Sequence, residues 1–141
     1  MTEHFSLAEL TSTSTGLPND APLELAGNLT RLAEALEQVR ALLGGFPIKI
    51  NSAYRSPEVN RAVRGVATSA HLRGLAADFT PGGVSLRVAF DLIRASGIEF
   101  DQMILEPTWI HFGLADLGKQ PRRQCLMAKP EGGRMRYEVT P

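Results

Sequence analysis

From Leu23 to Leu43 the apolar residues Leu25, Leu29, Leu32, Leu36, Val39 and Leu43 recur every three or four positions. The segment predicts one long amphipathic helix with an apolar stripe to bury, stopped by Gly44 and Gly45. Before it, "SLAEL" reads as one or two helical turns behind a serine cap, and "TSTSTGLPNDAP" as a polar, turn-rich connection. After it come a strand, "IKINSAY", and a short helix, "SPEVNRAV", with Ser56 at the cap and Pro57 in the first turn. Residues 66–73 read as loop, "GLAADF" as strand, and "SLRVAFDLIRAS" as a second capped amphipathic helix ending at Gly97. "FDQMILE" and "WIHFGLA" sit at hairpin spacing about Pro107-Thr108, and "QCLMAKP" and "RMRYEVT" form a second hairpin around Glu131-Gly132-Gly133. This order predicts an α+β fold, a mainly antiparallel sheet with flanking helices.

At 141 residues the chain is expected to be a single domain over 1–141, large enough to bury a core without covalent staples. Hydrophobic residues make up 43% and charges balance at 15 and 15, which argues against nucleic acid as a partner. Cys125 is the only cysteine, so neither an internal disulfide nor a cysteine-built metal site is available, and it is expected to be a small buried or half-buried side chain. "MTEHFSLAEL" lacks the basic start and apolar stretch of a signal peptide, and no later run approaches the ~20 apolar residues of a membrane span. The expectation is a cytoplasmic product as synthesised, without membrane insertion, and monomeric.

Three histidines need explaining, and His4 is assigned to a frayed start. In "WIHFG" the alternation puts Ile110 and Phe112 on one face, and Trp109, His111 and Gly113 on the other. With Pro107 and Thr108 as the turn, Glu106 pairs with Trp109 and so shares the face of His111. His71 and Asp78 are an odd number apart and would face opposite ways on one straight strand. Gly74 can supply the necessary break, and Ala76 and Ala77 leave room beside the carboxylate. Two imidazoles and a carboxylate are a ligand set for catalytic zinc with one position open. Spacing alone leaves other readings open: a capping His71, a satisfied core His111, a turn carboxylate at Asp78, or half of an acid/base pair.

The stretch "SAYRSPEVNRAV…TSAHLRGLAADF" followed by "WIHFG" resembles the zinc D-alanyl-D-alanine carboxypeptidases, the M15 peptidases, and most closely their short phage and bacterial branch. The pattern S-x-H-x-x-G-x-A-x-D is complete as Ser69, His71, Gly74, Ala76 and Asp78, and the likeness runs from about Phe5 to Gly113. The resemblance implies the M15, hedgehog-like peptidase fold and a peptidoglycan peptidase with zinc held by His71, Asp78 and His111. It matches Arg55, in "YRSP", to an arginine set against the scissile carbonyl or developing oxyanion, a task suited to a permanently charged planar guanidinium. Many relatives carry the catalytic carboxylate three residues before the last histidine. Here that position is Thr108, and Glu106 is the nearest acid, with Asp101 and Glu99 as more distant substitutes.

By this resemblance a bound zinc supplies a Lewis acid and lowers the pKa of water toward about 7. Glu106 takes the proton and passes it to the departing amine, and Arg55 offsets charge on the tetrahedral intermediate. Ser69 is assigned to substrate polar groups or to the loop backbone, and Trp109 to a wall of the cleft or to packing. The implied substrate is the peptidoglycan stem peptide, cut in carboxypeptidase or endopeptidase fashion. A phage or prophage endolysin released through a membrane pore fits the missing leader. The rival readings are a zinc-containing cell-wall-binding or virion structural module without activity, and a metal-free globular domain.

Overall fold

A computed structural model of the chain describes residues 1–140. Its frame is one six-stranded sheet in the order β1-β2-β4-β3-β5-β6. The strands are β1 (Ile48–Ser52), β2 (Ala76–Pro81), β3 (Gln102–Leu105), β4 (Ile110–Gly113), β5 (Gln124–Glu131) and β6 (Arg134–Val139). All neighbours are antiparallel except β3 and β5, which run parallel. The α+β expectation with a mainly antiparallel sheet is met, and the parallel pair is the addition.

The predicted long helix is a 3-10 turn over Leu23–Leu25 leading into α2 (Ala26–Leu42). Its stripe of Leu29, Leu32, Leu36 and Val39 is buried. Each such side chain removed from water contributes roughly 1.5–3 kcal/mol. The stripe shares one core with Ala89, Phe90 and Ile93 of α4 (Leu86–Ala95) and with Ala77, Phe79, Met103, Ile110 and Phe112 from one face of the sheet. Phe100 and Phe112 meet with ring centroids 5.9 Å apart. Strand alternation therefore commits the opposite face of β2, β3 and β4 to something other than core.

Short elements behave as their caps dictate. Ser6 accepts from the Glu9 N–H ahead of α1 (Leu7–Leu10), Ser56 from Val59 ahead of α3 (Pro57–Ala62), and Ser85 from Val88 ahead of α4. The first strand is shorter than expected: Ala53 and Tyr54 leave the sheet, and Tyr54 N–H turns to the Leu10 carbonyl at 2.9 Å. The region read as loop before Gly74 contains a 3-10 turn over Ala70–Arg73. His4 is not frayed: its Nδ1 stands 2.7 Å from Glu37 Oε1, tying the first residues to α2. Cys125 is buried, as expected. No helix among the described residues is long and apolar enough to cross a membrane.

Candidate active site

The polar face of the sheet opens into a cleft of about 590 Å³, lined among others by Arg55, His71, Asp78, Glu106, Trp109 and His111. Two of these residues meet by simple strand pairing, since Asp78 on β2 lies directly opposite His111 on β4. Their side chains point the same way, and His111 Nδ1 is 2.9 Å from Asp78 Oδ1. His71 arrives from the 3-10 turn, where the direction problem posed by the odd spacing is solved at Gly74. That residue takes φ +69° and ψ 26°, the left-handed conformation, and closes the turn. A Cβ on Gly74 would also lie 3.1 Å from Cγ and Cδ2 of Leu29 in α2. Gly74→Ala is therefore expected to cost about 2 kcal/mol, from backbone strain and overpacking together. An unchanged urea midpoint for this variant would contradict that account.

His71 Nδ1 stands 2.6 Å from the Ala53 carbonyl oxygen, so in the neutral ring Nδ1 carries the proton and donates it. Its Nε2 is then a bare lone pair, 3.3 Å from Asp78 Oδ1. Two acceptors facing each other at that distance call for a cation between them. The ligand atoms of His71, Asp78 and His111 all lie within 4.8 Å of one another. Donors held about 2.0–2.2 Å from a tetrahedral ion stand roughly 3.3–3.6 Å apart, so a set within this reach can close on one divalent ion. His71 is 3% and Asp78 8% exposed, and burial on that scale tolerates ionic groups only when they are paired or metal-bound. The two rings meet edge to face with centroids 5.2 Å apart, and both line the cleft together with Asp78.

Arg55 braces the carboxylate from the other side. Its Nη2 donates to Asp78 Oδ2 at 3.3 Å, Nε to Ser52 Oγ at 3.1 Å and Nη1 to Asn60 Oδ1 at 3.4 Å. Three of five guanidinium N–H donors are thus engaged, leaving two for a ligand in the cleft. Asn60 is itself held by donating to the Val66 carbonyl at 3.0 Å, and Gly65 packs so closely on it that a Cβ there would collide with Asn60 Oδ1. Behind the arginine, buried Asn19 donates to the carbonyls of Thr11 and Tyr54 and accepts from Ser56 N–H, satisfying its whole amide. This links the polar "TSTSTGLPNDAP" connection to the turn that carries Arg55.

Burial works to raise the Asp78 carboxyl, but the imidazoles of His111 and His71 set against it outweigh burial and hold the group far below the usual carboxylate range. Burial lowers Arg55, and the nearby Asp78 charge opposes that shift. Glu106 moves the other way: burial pushes its carboxyl up, aided by the Asp78 charge and opposed by Tyr137 and His111. Two carboxylates in one cleft are thus driven apart, one fixed as an anion and the other drawn toward the protonated form, a pattern expected of distinct chemical roles.

Glu106 takes the place its hairpin predicts. Its N–H donates to the Trp109 carbonyl at 3.0 Å across a turn of Pro107 and Thr108, and Ile104 rather than Glu106 pairs with His111. Glu106 is therefore the diagonal neighbour of His111 on the cleft face. Trp109 lines the cleft beside it. Ser69 caps the 3-10 turn, accepting from His71 N–H at 3.2 Å, while also lining the cleft. Of the substitute acids, Asp101 is engaged by Arg122 at 2.8 Å, and Glu99 lines a different depression.

Three contributors to the site carry no local sequence signal of their role: the Ala53 carbonyl, Asn60 and Tyr137. Ala53 lies in the turn after β1, and Asn60 in α3. Tyr137 comes from β6, and its hydroxyl donates to Glu106 Oε2 at 3.3 Å. Periodicity marks it only as a strand residue.

A family model described as Peptidase M15 matches residues 3–112. No curated protein matches the chain.

Proposed function

The chain belongs to the M15 peptidase family, and on that premise we propose that it is a zinc-dependent peptidoglycan peptidase that hydrolyses a bond of the stem peptide or its cross-link. The observation that carries this reading is the tautomer of His71: with Nδ1 committed to the Ala53 carbonyl, its free Nε2 faces an acceptor oxygen of Asp78 3.3 Å away. His71, Asp78 and His111 would hold the ion. A zinc ion there supplies Lewis acidity and lowers the pKa of water toward about 7.

The protein's own groups supply the rest. Glu106 accepts the proton of the attacking water and delivers it to the departing amine. Arg55 keeps Asp78 oriented and turns its two spare N–H donors toward the negative charge that develops on the carbonyl oxygen. Trp109 walls the cleft and Ser69 orders the turn that carries His71, with its hydroxyl at the cleft surface for substrate polar groups. Residues 1–141 act in this reading as one peptidase domain, a monomer that reaches the cell wall after release from the cytoplasm or as part of a virion.

Incubation of the purified protein with peptidoglycan sacculi, followed by mass spectrometry of the soluble products, tests the proposal. New termini at one type of stem or cross-link bond are expected, with cleavage abolished by a chelator and restored by zinc. Binding to sacculi without release of any new terminus would replace the enzyme with a wall-binding module.

A further inference from the structure

We propose that Tyr137, on the C-terminal hairpin, is a positioning residue that holds the Glu106 carboxylate in its working orientation. The inference rests on the reading of Glu106 as general base, and it assigns a role to a part of the chain outside residues 3–112.

The sheet register carries the argument. Strand β3 pairs in parallel with β5 through Leu105 and Met127, so the next row sets Glu106 beside Ala128. Ala128 is in turn paired with Tyr137 on β6. Glu106, Ala128 and Tyr137 thus form one row across three strands, with their side chains on the same face. Strands lie about 4.8 Å apart, so the outer two residues of such a row are too far apart for short side chains to touch. The small methyl of Ala128 clears the way, and the long phenol reaches over it to donate to Glu106 Oε2 at 3.3 Å. A bulkier residue at 128 would stand between them.

Geometry also says why Glu106 needs a holder. It sits at the mouth of a hairpin, with its backbone fixed by Trp109 but with no other side-chain hydrogen bond among the described residues. A free glutamate there has several rotamers, and only those that aim at the metal cluster can serve as the base. One phenolic hydrogen bond occupies Oε2 and leaves Oε1 for the water proton. Both residues line the same cleft, so the hairpin closes one of its walls as well.

The test compares Tyr137→Phe, Glu106→Ala and Arg136→Ala in the zinc-loaded protein acting on purified muropeptides. Arg136 sits on the same hairpin, paired with Glu131 and Glu138. Tyr137→Phe is expected to lower kcat by about tenfold, the scale of a hydrogen bond to a charged group, with KM within about twofold and zinc content unchanged. Arg136→Ala should leave all three unchanged. Full kcat in Tyr137→Phe, or an equal loss in Arg136→Ala, overturns the positioning role. Full turnover in Glu106→Ala would instead remove the base assignment beneath it, so the two failures are told apart.

Discussion

Asp78→Ala is expected to emerge from purification without its metal and without measurable peptidase activity. The carboxylate is the hub of the site: Oδ1 faces both imidazoles, at 2.9 and 3.3 Å, and Oδ2 takes the Arg55 guanidinium at 3.3 Å. Removing it takes the one anion from the cluster and leaves the Arg55 cation, which would repel a divalent ion. The loss should exceed the roughly 10–100-fold that follows removal of an outer partner of a metal ligand. His71→Ala should behave alike, since its Nε2 is the donor that Ala53 holds ready. Metal analysis beside an activity assay checks both variants, and far-ultraviolet circular dichroism guards against simple unfolding. Full zinc occupancy in either one would refute the ligand set.

Glu106→Ala separates chemistry from binding. Here the metal should stay, because Glu106 is outside the ligand cluster, while turnover falls by at least ~10², the usual worth of a general base. A pH profile adds a signed expectation. A general base at this position would work as a carboxylate, and burial raises the Glu106 carboxyl above the ordinary glutamate range. Activity of the native protein should therefore fall on acidification at a higher pH than a solvated glutamate would give, and recover as pH rises. Should the alanine variant turn over substrate at the native rate, the base must be sought elsewhere in the cleft.

These two variants touch residues that differ in how visible they are before folding. His71, Gly74 and Asp78 lie within eight positions, and the left-handed glycine between them is a local necessity: without it the imidazole and the carboxylate would diverge. Glu106 and His111 follow almost as directly, because a two-residue hairpin turn determines which side chains share a face. Arg55 is marked in the sequence only by the resemblance of "YRSP" to a family motif. Nothing in "YRSP" says that Ser52, Asn60 and Asp78 will converge on its guanidinium.

Residue period, caps and turn types act over a few bonds, so helices, hairpins and the inward or outward sense of each side chain could be read along the chain. Which strands become neighbours is a different kind of question, settled by burial of whole apolar faces at the cost of closing long loops. The union of β2 with β4 that seats Asp78 against His111 belongs to that second kind. So does the parallel pairing of β3 with β5, which carries Tyr137 to within hydrogen-bond reach of Glu106 from 31 residues away.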